Sequence, residues 1–244
     1  RDGNDEPLNN KQKGEGMKKN LYTLNIGSNY APEITTLTYP LLKYWASKLG
    51  ATFIEINERK FPSFPERYEK FQIYELAKEY PADWHIYIDC DALVNPDMID
   101  PTGYLNKDTV AHNGKDVASN RWKLDKYFMR DGRHISSCNW LMIASDWCLD
   151  VWQPLSDMTL EDAVKNIFPV TSERNGGTQP VMLIDDYVMS RNIARYGLKF
   201  TTVTEICQQR CGYQGNFMMF HMYNCPSMEK IALMKNTLKQ WNLA

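Results

Sequence analysis

The sequence predicts an α/β fold, a single domain with a mostly parallel central sheet and helices on both faces. Strand-like apolar segments alternate with segments of helical period through the first half of the chain. This alternation implies right-handed crossovers between parallel strands. The chain has 244 residues, enough to bury a sizeable core. In addition, two acids stand where the third predicted strand ends, at the edge where such sheets bind ligands.

The first half of the chain supplies three strands and two helices in regular order. We predict strands at NLYTLNI, TFIEI and HIYID. Helices are predicted between them, at APEITTLTYPLLKYWASKLG and at PERYEKFQIYELAKEY. Gly50 suits the end of the first helix, and Pro81 ends the second. The order is therefore strand, helix, strand, helix, strand.

The second half of the chain is less regular. Further strands are predicted at NWLMIAS, FTTVTEI and NFMMFHM, and helices at DDYVMSRNIARYG and SMEKIALMKNTLKQW. Gly197 suits the end of the first of these helices, and Ser227 suits the amino-terminal cap of the second. No internal repeat or second domain boundary is visible. We therefore predict one domain over residues 17–244.

The amino-acid composition argues against some classes of function. Hydrophobic residues make up 43% and charged residues 24%, as in ordinary globular proteins, and the net charge of −2 argues against a nucleic-acid binder. No apolar run approaches the roughly 20 residues needed to cross a bilayer, and no signal peptide is seen. We expect a cytoplasmic or otherwise soluble protein. The polar start over residues 1–16 is predicted as a flexible tail, or as a linker to other domains of a longer protein.

The acid pair lies in DWHIYIDCDALVNPD, as Asp89 and Asp91. Because carboxylates cost free energy where water is removed, a pair at the end of a buried strand usually has a ligand. The pair alone is also compatible with a simple turn, since the segment contains Asp, Asn and Pro. An EF-hand calcium loop is excluded because Val94 stands where the glycine is required. The third interpretation is a divalent metal that bridges the protein to a diphosphate.

The order of the motifs resembles the nucleotide-sugar glycosyltransferases of the GT-A fold, whose hallmark is Asp-x-Asp after a hydrophobic strand. TLNIGSNYAPE is similar to the first-strand loop of the glycogenin-like transferases. NWLMIASDWCLDVWQPL resembles the xylosyl- and galactosyltransferases of the same fold, and FHMYNCP matches their late histidine. The resemblance touches most of residues 20–226 and implies a GT-A, Rossmann-like domain.

The resemblance also implies a donor site. Nucleotide contacts would come from Thr23, Asn25, Ile26, Tyr30, Lys70 and Asp89. Metal ligands would be Asp89, Asp91 and His221. The imidazole favours Mn²⁺, with Mg²⁺ as the alternative. Contacts to the donor or acceptor sugar would come from Arg121, Asn139, Trp140 and Asp185. Three of these residues have a structural alternative: a lysine on a helix surface, such as Lys70, is usually solvated, and a histidine or tryptophan in an apolar segment, such as His221 or Trp140, usually belongs to the core.

A second acidic pair lies in LIDDYVMSRNI. Asp185 and Asp186 fall at a predicted helix start, where one acid would suit capping. The segment is also similar to the Glu-Asp-x-x-x-Ser element of inverting GT-A enzymes, with Asp186 as the base and Ser190 as the serine. The glycogenin-like and xylosyltransferase resemblances imply retention instead. We favour inversion, because only that interpretation gives Asp186 a definite chemical task.

Together these features predict a metal-dependent glycosyltransferase, transferring a hexose or a pentose. The donor would be a nucleoside-diphosphate sugar, with UDP as the expected nucleotide, and the acceptor a hydroxyl of a glycan or another molecule. Two alternatives stay open: a retaining transferase of the same fold, and an inactive nucleotide-sugar-binding module. A sugar-phosphate nucleotidyltransferase is disfavoured because NIGSNYAPE does not supply a Gly-rich, basic phosphate loop.

Overall fold

The computed structural model describes residues 16–28, 32–113, 140–167, 179–212, 218–222 and 225–243. The strands in these ranges are β1 (Lys19–Leu24), β2 (Ala51–Ile56), β3 (Trp84–Ile88), β4 (Leu93–Val94), β5 (Thr109–His112), β6 (Leu141–Ser145), β7 (Lys199–Thr202) and β8 (Met219–Phe220). Six of them form the central sheet, in the order β2-β1-β3-β6-β5-β7. The predicted tail at 1–16 falls almost wholly outside the described residues.

The central sheet is mostly parallel, as predicted. β1 pairs in parallel with β2 and β3, and β5 pairs in parallel with β7. β6 runs antiparallel to both of its neighbours, β3 and β5. The carboxyl ends of β1, β2, β3 and β5 therefore share one edge with the amino end of β6. Asn25, Asp89 and Trp140, which flank three of these ends, are brought to that edge.

Helices cover both faces of the sheet, also as predicted. They are α1 (Pro32–Leu49), α2 (Ile73–Glu79), α3 (Leu160–Lys165), α4 (Ile184–Arg195), α5 (Val203–Cys211) and α6 (Ser227–Gln240). Successive strand residues point to opposite faces, so Leu21 packs in a cluster with Trp45 of α1. Its neighbour Tyr22 packs on the other face, in a cluster with Val188 of α4. The alternation of buried side chains thus builds two apolar layers around one sheet.

The helix predicted at PERYEKFQIYELAKEY is in fact two helices. Glu66–Gln72 winds as a 3-10 helix, and α2 follows it. The carboxylate of Glu69 is fully buried and accepts hydrogen bonds from Arg59 Nε (3.0 Å) and Gln72 Nε2 (2.7 Å). A 3-10 helix places residues i and i+3 one above the other, which aligns Glu69 with Gln72. This buried network holds the loop after β2 and explains the tighter winding.

The strand predicted at FTTVTEI is only half a strand. β7 ends at Thr202, and α5 begins at the next residue. Thr202 Oγ1 accepts from the Glu205 amide (2.9 Å), and the Glu205 carboxylate accepts from the Thr202 amide (3.0 Å). This reciprocal capping box starts a helix where the β-branched residues had indicated a continuing strand.

One further prediction is wrong, one strand was missed, and one prediction is confirmed. Ser227 does not cap α6, because it is already the first helical residue and follows Pro226 in the cap position. The sheet strand β5 was not predicted at all. Gly197 follows α4 with a φ of 68°, a left-handed conformation suited to glycine, as the sequence had indicated. No helix among the described residues has the length and apolar character to span a bilayer.

The described part of NFMMFHM, residues 218–222, does not join the central sheet. It contributes the two-residue strand β8, which pairs antiparallel with β4 in a separate small sheet. Leu93 lies opposite Phe220 in this pairing. β4 comes directly after the acid pair, and β8 comes directly before His221. The small sheet therefore brings the late histidine beside Asp89 and Asp91.

Candidate metal and donor site

The acid pair lies in a turn that is fixed at both ends and in the middle. The Asp89 amide donates to the Trp140 carbonyl (2.8 Å), and the Ala92 amide donates to the Asp89 carbonyl (3.1 Å). Thr38 Oγ1, fully buried in α1, donates to the carbonyl of Cys90 between the two acids. The segment is thus a turn, as its composition indicated, and it also directs both carboxylates toward His221.

Asp89, Asp91 and His221 form a candidate site for a divalent cation. One ligand atom from each residue lies within 4.8 Å of the other two. His221 Nε2 is 3.2 Å from Asp91 Oδ1 and 3.5 Å from Asp89 Oδ2. Two carboxylate oxygens and one imidazole nitrogen suit Mn²⁺ and leave coordination positions for a ligand. The structure therefore brings together the three residues predicted as metal ligands.

Lys230 contacts the other oxygen of Asp91. Its Nζ lies 2.6 Å from Asp91 Oδ2, and both side chains are largely buried. Burial would raise the pKa of Asp91, but His221 and Lys230 outweigh it and hold that pKa well below its usual range. Asp91 is therefore ionised.

Lys230 was not predicted from the sequence, although a signal was present. Lys230, Met234 and Leu238 form the buried stripe of α6 at a spacing of one turn. A lysine on the apolar face of a predicted helix indicates a buried charge that needs a partner.

Lys70 joins the two acidic motifs. Its Nζ lies 3.0 Å from Asp185 Oδ2 and 3.7 Å from Asp89 Oδ1, above the ring of Tyr87. The side chain is 2% exposed, so the alternative of a solvated helix lysine is wrong. Burial lowers the pKa of a lysine, but Asp185 and Asp89 more than compensate and raise the pKa of Lys70 above its usual value. Its contact with a nucleotide stays a prediction.

Asp185 and Asp186 stand in the first turn of α4, as predicted. Asp185 is buried and forms the ion pair with Lys70, whereas Asp186 is more exposed. Ser190, one turn along, is fully buried. One acid is thus part of the buried charge network, and its neighbour is partly exposed. The assignment of Asp186 as a base stays a prediction.

The predicted base pocket lies at the carboxyl ends of β1 and β2. Thr23 and Asn25 are buried, and Ile26 begins a short 3-10 helix. The Asn25 amide donates to the Ile56 carbonyl (2.8 Å). Tyr39 and Glu55, which were not predicted from the sequence, also lie here. Burial raises the pKa of Tyr39, and the neighbouring Glu55 carboxylate raises that pKa further. Of the predicted pocket, Tyr30 lies outside the described residues.

Trp140 packs against the candidate metal ligands. Its ring stacks on the His221 ring with centroids 5.0 Å apart and planes 20° apart, and its carbonyl accepts the hydrogen bond from Asp89. It thus contacts two of the three candidate ligands, a role the sequence did not indicate. Its contact with a sugar stays a prediction, and the sugar-contact candidates Arg121 and Asn139 lie outside the described residues.

Comparison with known proteins finds matches among solved structures. No family model matches the chain, and no curated protein matches it. Among solved structures, the chain is similar to a glycosyltransferase involved in the glycosylation of the major capsid of PBCV-1. The two share 13% sequence identity with a TM-score of 0.49, and the match covers 89% of this chain and 99% of the other.

Proposed function

We propose that residues 17–244 form a metal-dependent glycosyltransferase that moves a sugar from a nucleoside-diphosphate donor to an acceptor hydroxyl. The observation that carries this proposal is the convergence of Asp89, Asp91 and His221 at the carboxyl edge of the sheet. Ligands of open α/β sheets bind at this edge, where the strand order reverses. Here the chain passes from β1 to β2 on one side and then to β3 on the other. The acids follow β3, directly at that reversal.

The donor would be bound by its diphosphate and by its base. A bound Mn²⁺, or Mg²⁺ as the alternative, would neutralise charge on the departing nucleoside diphosphate. Asp89, Asp91 and His221 are the residues that would hold it. The base, expected to be uracil, would lie against Thr23 and Asn25 at the ends of the neighbouring strands.

Lys70 would keep the site in its reactive geometry. Its ammonium stands between Asp89 and Asp185, so it fixes the distance between the metal motif and the start of α4. A charged lysine in a buried site cancels part of the repulsion between carboxylates without admitting water. The two motifs would therefore be positioned before any substrate binds.

Asp186 would activate the acceptor. Its carboxylate would take the proton from the acceptor hydroxyl as that oxygen forms its bond to the anomeric carbon of the donor. The bond from this carbon to the diphosphate oxygen breaks, and the nucleoside diphosphate leaves. Attack on the face opposite the leaving group inverts the configuration. A retaining enzyme would use the same donor site without Asp186 as the base.

Nucleotide binding tests the donor site directly. UDP, GDP, CDP and ADP are added to the wild type with and without Mn²⁺, and the melting temperature is measured. We expect one nucleotide, UDP, to raise it only with Mn²⁺; at about 100 times Kd the gain is about 2.7 kcal/mol. Asp91→Asn should lose the effect. Asp97→Asn, the same change at an exposed position a few residues along, should keep it. If no nucleotide stabilises the protein, the donor site is wrong.

Sugar transfer separates an enzyme from a binding module. With the nucleotide identified, release of nucleoside diphosphate from sugar donors is measured with Mn²⁺. Asp186→Asn should keep the thermal stabilisation and lose at least about a hundredfold in turnover, the usual range for a general base. Stabilisation without turnover of any donor would instead indicate an inactive nucleotide-sugar-binding module.

A further inference from the structure

Lys230 forms a buried ion pair with Asp91, one of the candidate metal ligands. Lys230 comes from the first turn of α6, far along the chain from Asp91, and its Nζ lies 2.6 Å from Asp91 Oδ2. The other oxygen, Oδ1, faces His221 Nε2 at 3.2 Å. Both oxygens of Asp91 therefore have a partner within the protein. A strong charge-assisted hydrogen bond occupies one of them.

The charges around the site partly cancel without a metal. Asp89, Asp91 and Asp185 supply three carboxylates, and Lys70 and Lys230 supply two ammonium groups, in two separate sets of ion pairs. Lys70 is directed to Asp89 and Asp185, so Lys230 is the lysine paired with Asp91. Removal of the Lys230 charge would leave Asp91 with His221 alone.

We infer that Lys230 and a divalent cation compete for Asp91. This inference rests on the proposed metal site. A cation bound by Asp89, Asp91 and His221 would lie within a few ångströms of the Lys230 ammonium, in a place where little water screens the two charges. Lys230 therefore holds Asp91 while the cation is away and is displaced from it when the cation binds. The metal affinity is set lower than the two acids and the histidine would give alone.

The sign of the effect separates competition from support. If Lys230 only oriented Asp91 for the metal, its removal would weaken metal binding, as the loss of a supporting partner does. If it competes, its removal strengthens binding. The same substitution thus gives opposite results under the two interpretations.

The test measures the affinity for Mn²⁺ alone, by calorimetric titration, in the wild type and in variants. Lys230→Met should bind Mn²⁺ about tenfold more tightly or better, since one positive charge leaves a poorly screened site. Lys230→Arg keeps the charge and should stay close to the wild type. Lys235→Met, the same change at an exposed position of α6, is the matched control and should shift the affinity far less.

The outcomes distinguish this inference from the metal site on which it rests. Weaker or unchanged binding in Lys230→Met, with Mn²⁺ bound by the wild type and lost in Asp91→Asn, overturns the competition and leaves the metal site standing. Binding by Lys230→Met where the wild type binds nothing measurable supports the competition in its strongest form. Binding by neither protein overturns both.

A measurement on the wild type keeps the inference testable if Lys230→Met does not fold. The protein is treated with an amine-acylating reagent with and without saturating Mn²⁺, and modified lysines are identified by mass spectrometry. Lys230, whose side chain is 7% exposed, should be protected without Mn²⁺ and react faster with it, while exposed Lys235 reacts equally in both. Equal or greater protection of Lys230 with bound Mn²⁺ contradicts the displacement.

Discussion

The two ends of strand β3 are both buried and polar, but they use different chemistry. At the amino end, Asn20 Nδ2 donates to Tyr22 Oη (3.1 Å), which lies 3.0 Å from His85 Nδ1. His85 Nε2 lies 3.2 Å from the Ala82 carbonyl. If Nε2 carries the proton, each group finds a partner with no charge involved. The buried side chains at this end thus form a neutral hydrogen-bond chain, and the ion pairs of Lys107 with Asp83 and Asp146 lie closer to the surface.

The carboxyl end of the same strand concentrates charge. The side chains of Lys70, Lys230 and His221 each lie within a few ångströms of Asp89 or Asp91. Buried ion pairs gain little stability over apolar residues of similar volume, because desolvation offsets much of the attraction. A neutral network would have stabilised this end at lower cost. The charges therefore indicate a ligand site at one end of β3 and structural support at the other.

The largest expected effect tests whether the charged end depends on Lys70. Lys70→Met leaves Asp89 and Asp185 in a buried site without their shared cation. We expect a loss of about 3–5 kcal/mol in the free energy of unfolding, the usual cost of removing one partner from a buried pair. Urea unfolding followed by circular dichroism measures it.

The matched control is Lys78→Met in the neighbouring helix α2. Lys78 forms an exposed ion pair with Glu75, 2.8 Å long, so its loss should leave the urea midpoint almost unchanged. Equal midpoints for the two variants would mean that the buried carboxylates need no cation. The distinction between the two ends of β3 would then fail.

The second largest effect is expected at the amino end of β3, where the protonation of His85 makes the stability of the protein depend on pH. Burial lowers the pKa of His85 from 6.5 to about 4. Asp146 and Asp83 near it raise the pKa, Lys107 lowers it, and burial outweighs them. Between these two pKa values the unfolded chain binds a proton that the folded protein does not. Stability contributed by neutral His85 is thus present above about pH 6.5 and falls by about 3 kcal/mol as the pH drops to about 4.

Denaturation at pH 7, 5.5 and 4 measures this loss in the wild type and in His85→Gln, which cannot take up the proton. Carboxylates such as Asp83, whose pKa is lowered by the Lys18 amide and by Lys107, also lose their contribution as the pH falls. They do so in both proteins, so the difference isolates His85. Parallel pH curves for the two proteins would show that His85 is not the proton-sensitive group.

The pattern of apolar and acidic residues in short segments predicted the carboxyl end of β3 well. Strands β1 to β3 and the acids after β3 follow from apolar segments and from the position of the acids at a strand end, both of which are visible in short stretches. The three candidate metal ligands were predicted together because the order of the motifs, rather than any one of them, indicated His221. Residues at strand ends can be assigned to one site from the sequence, because the fold brings such ends together.

The partners of those acids were not predictable in the same way. Lys230 reaches Asp91 across 139 residues of sequence, and Thr38 reaches the Cys90 carbonyl across 52. Both contacts depend on tertiary packing: the two-residue pairing of β4 with β8 precedes the return of the chain into α6, and α1 packs over the turn. Strands of two residues carry no periodicity to detect. The apolar face of α6 could single out Lys230 as a buried lysine, but its contact with Asp91 is found only once the packing is known.

The smallest expected effect compares one hydrogen bond at each end of β3. Thr38→Val removes the donor to the Cys90 carbonyl with almost no change in shape, and Tyr22→Phe removes the hydroxyl beside His85. Each should cost about 1–2 kcal/mol of unfolding free energy, because a buried partner loses its hydrogen bond. The two variants should differ in Mn²⁺ affinity, measured by calorimetric titration.

Thr38→Val should lower the Mn²⁺ affinity about tenfold, since the turn between the two acids loses the hydrogen bond that fixes its central carbonyl. Tyr22→Phe should leave the affinity unchanged at an equal loss of stability, and it thereby controls for general loosening of the sheet. If both variants weaken Mn²⁺ binding equally, the ligand site responds to overall stability rather than to its own turn. A loss confined to Thr38→Val would show that hydrogen bonds of equal strength serve geometry at the carboxyl end of β3 and stability at the amino end.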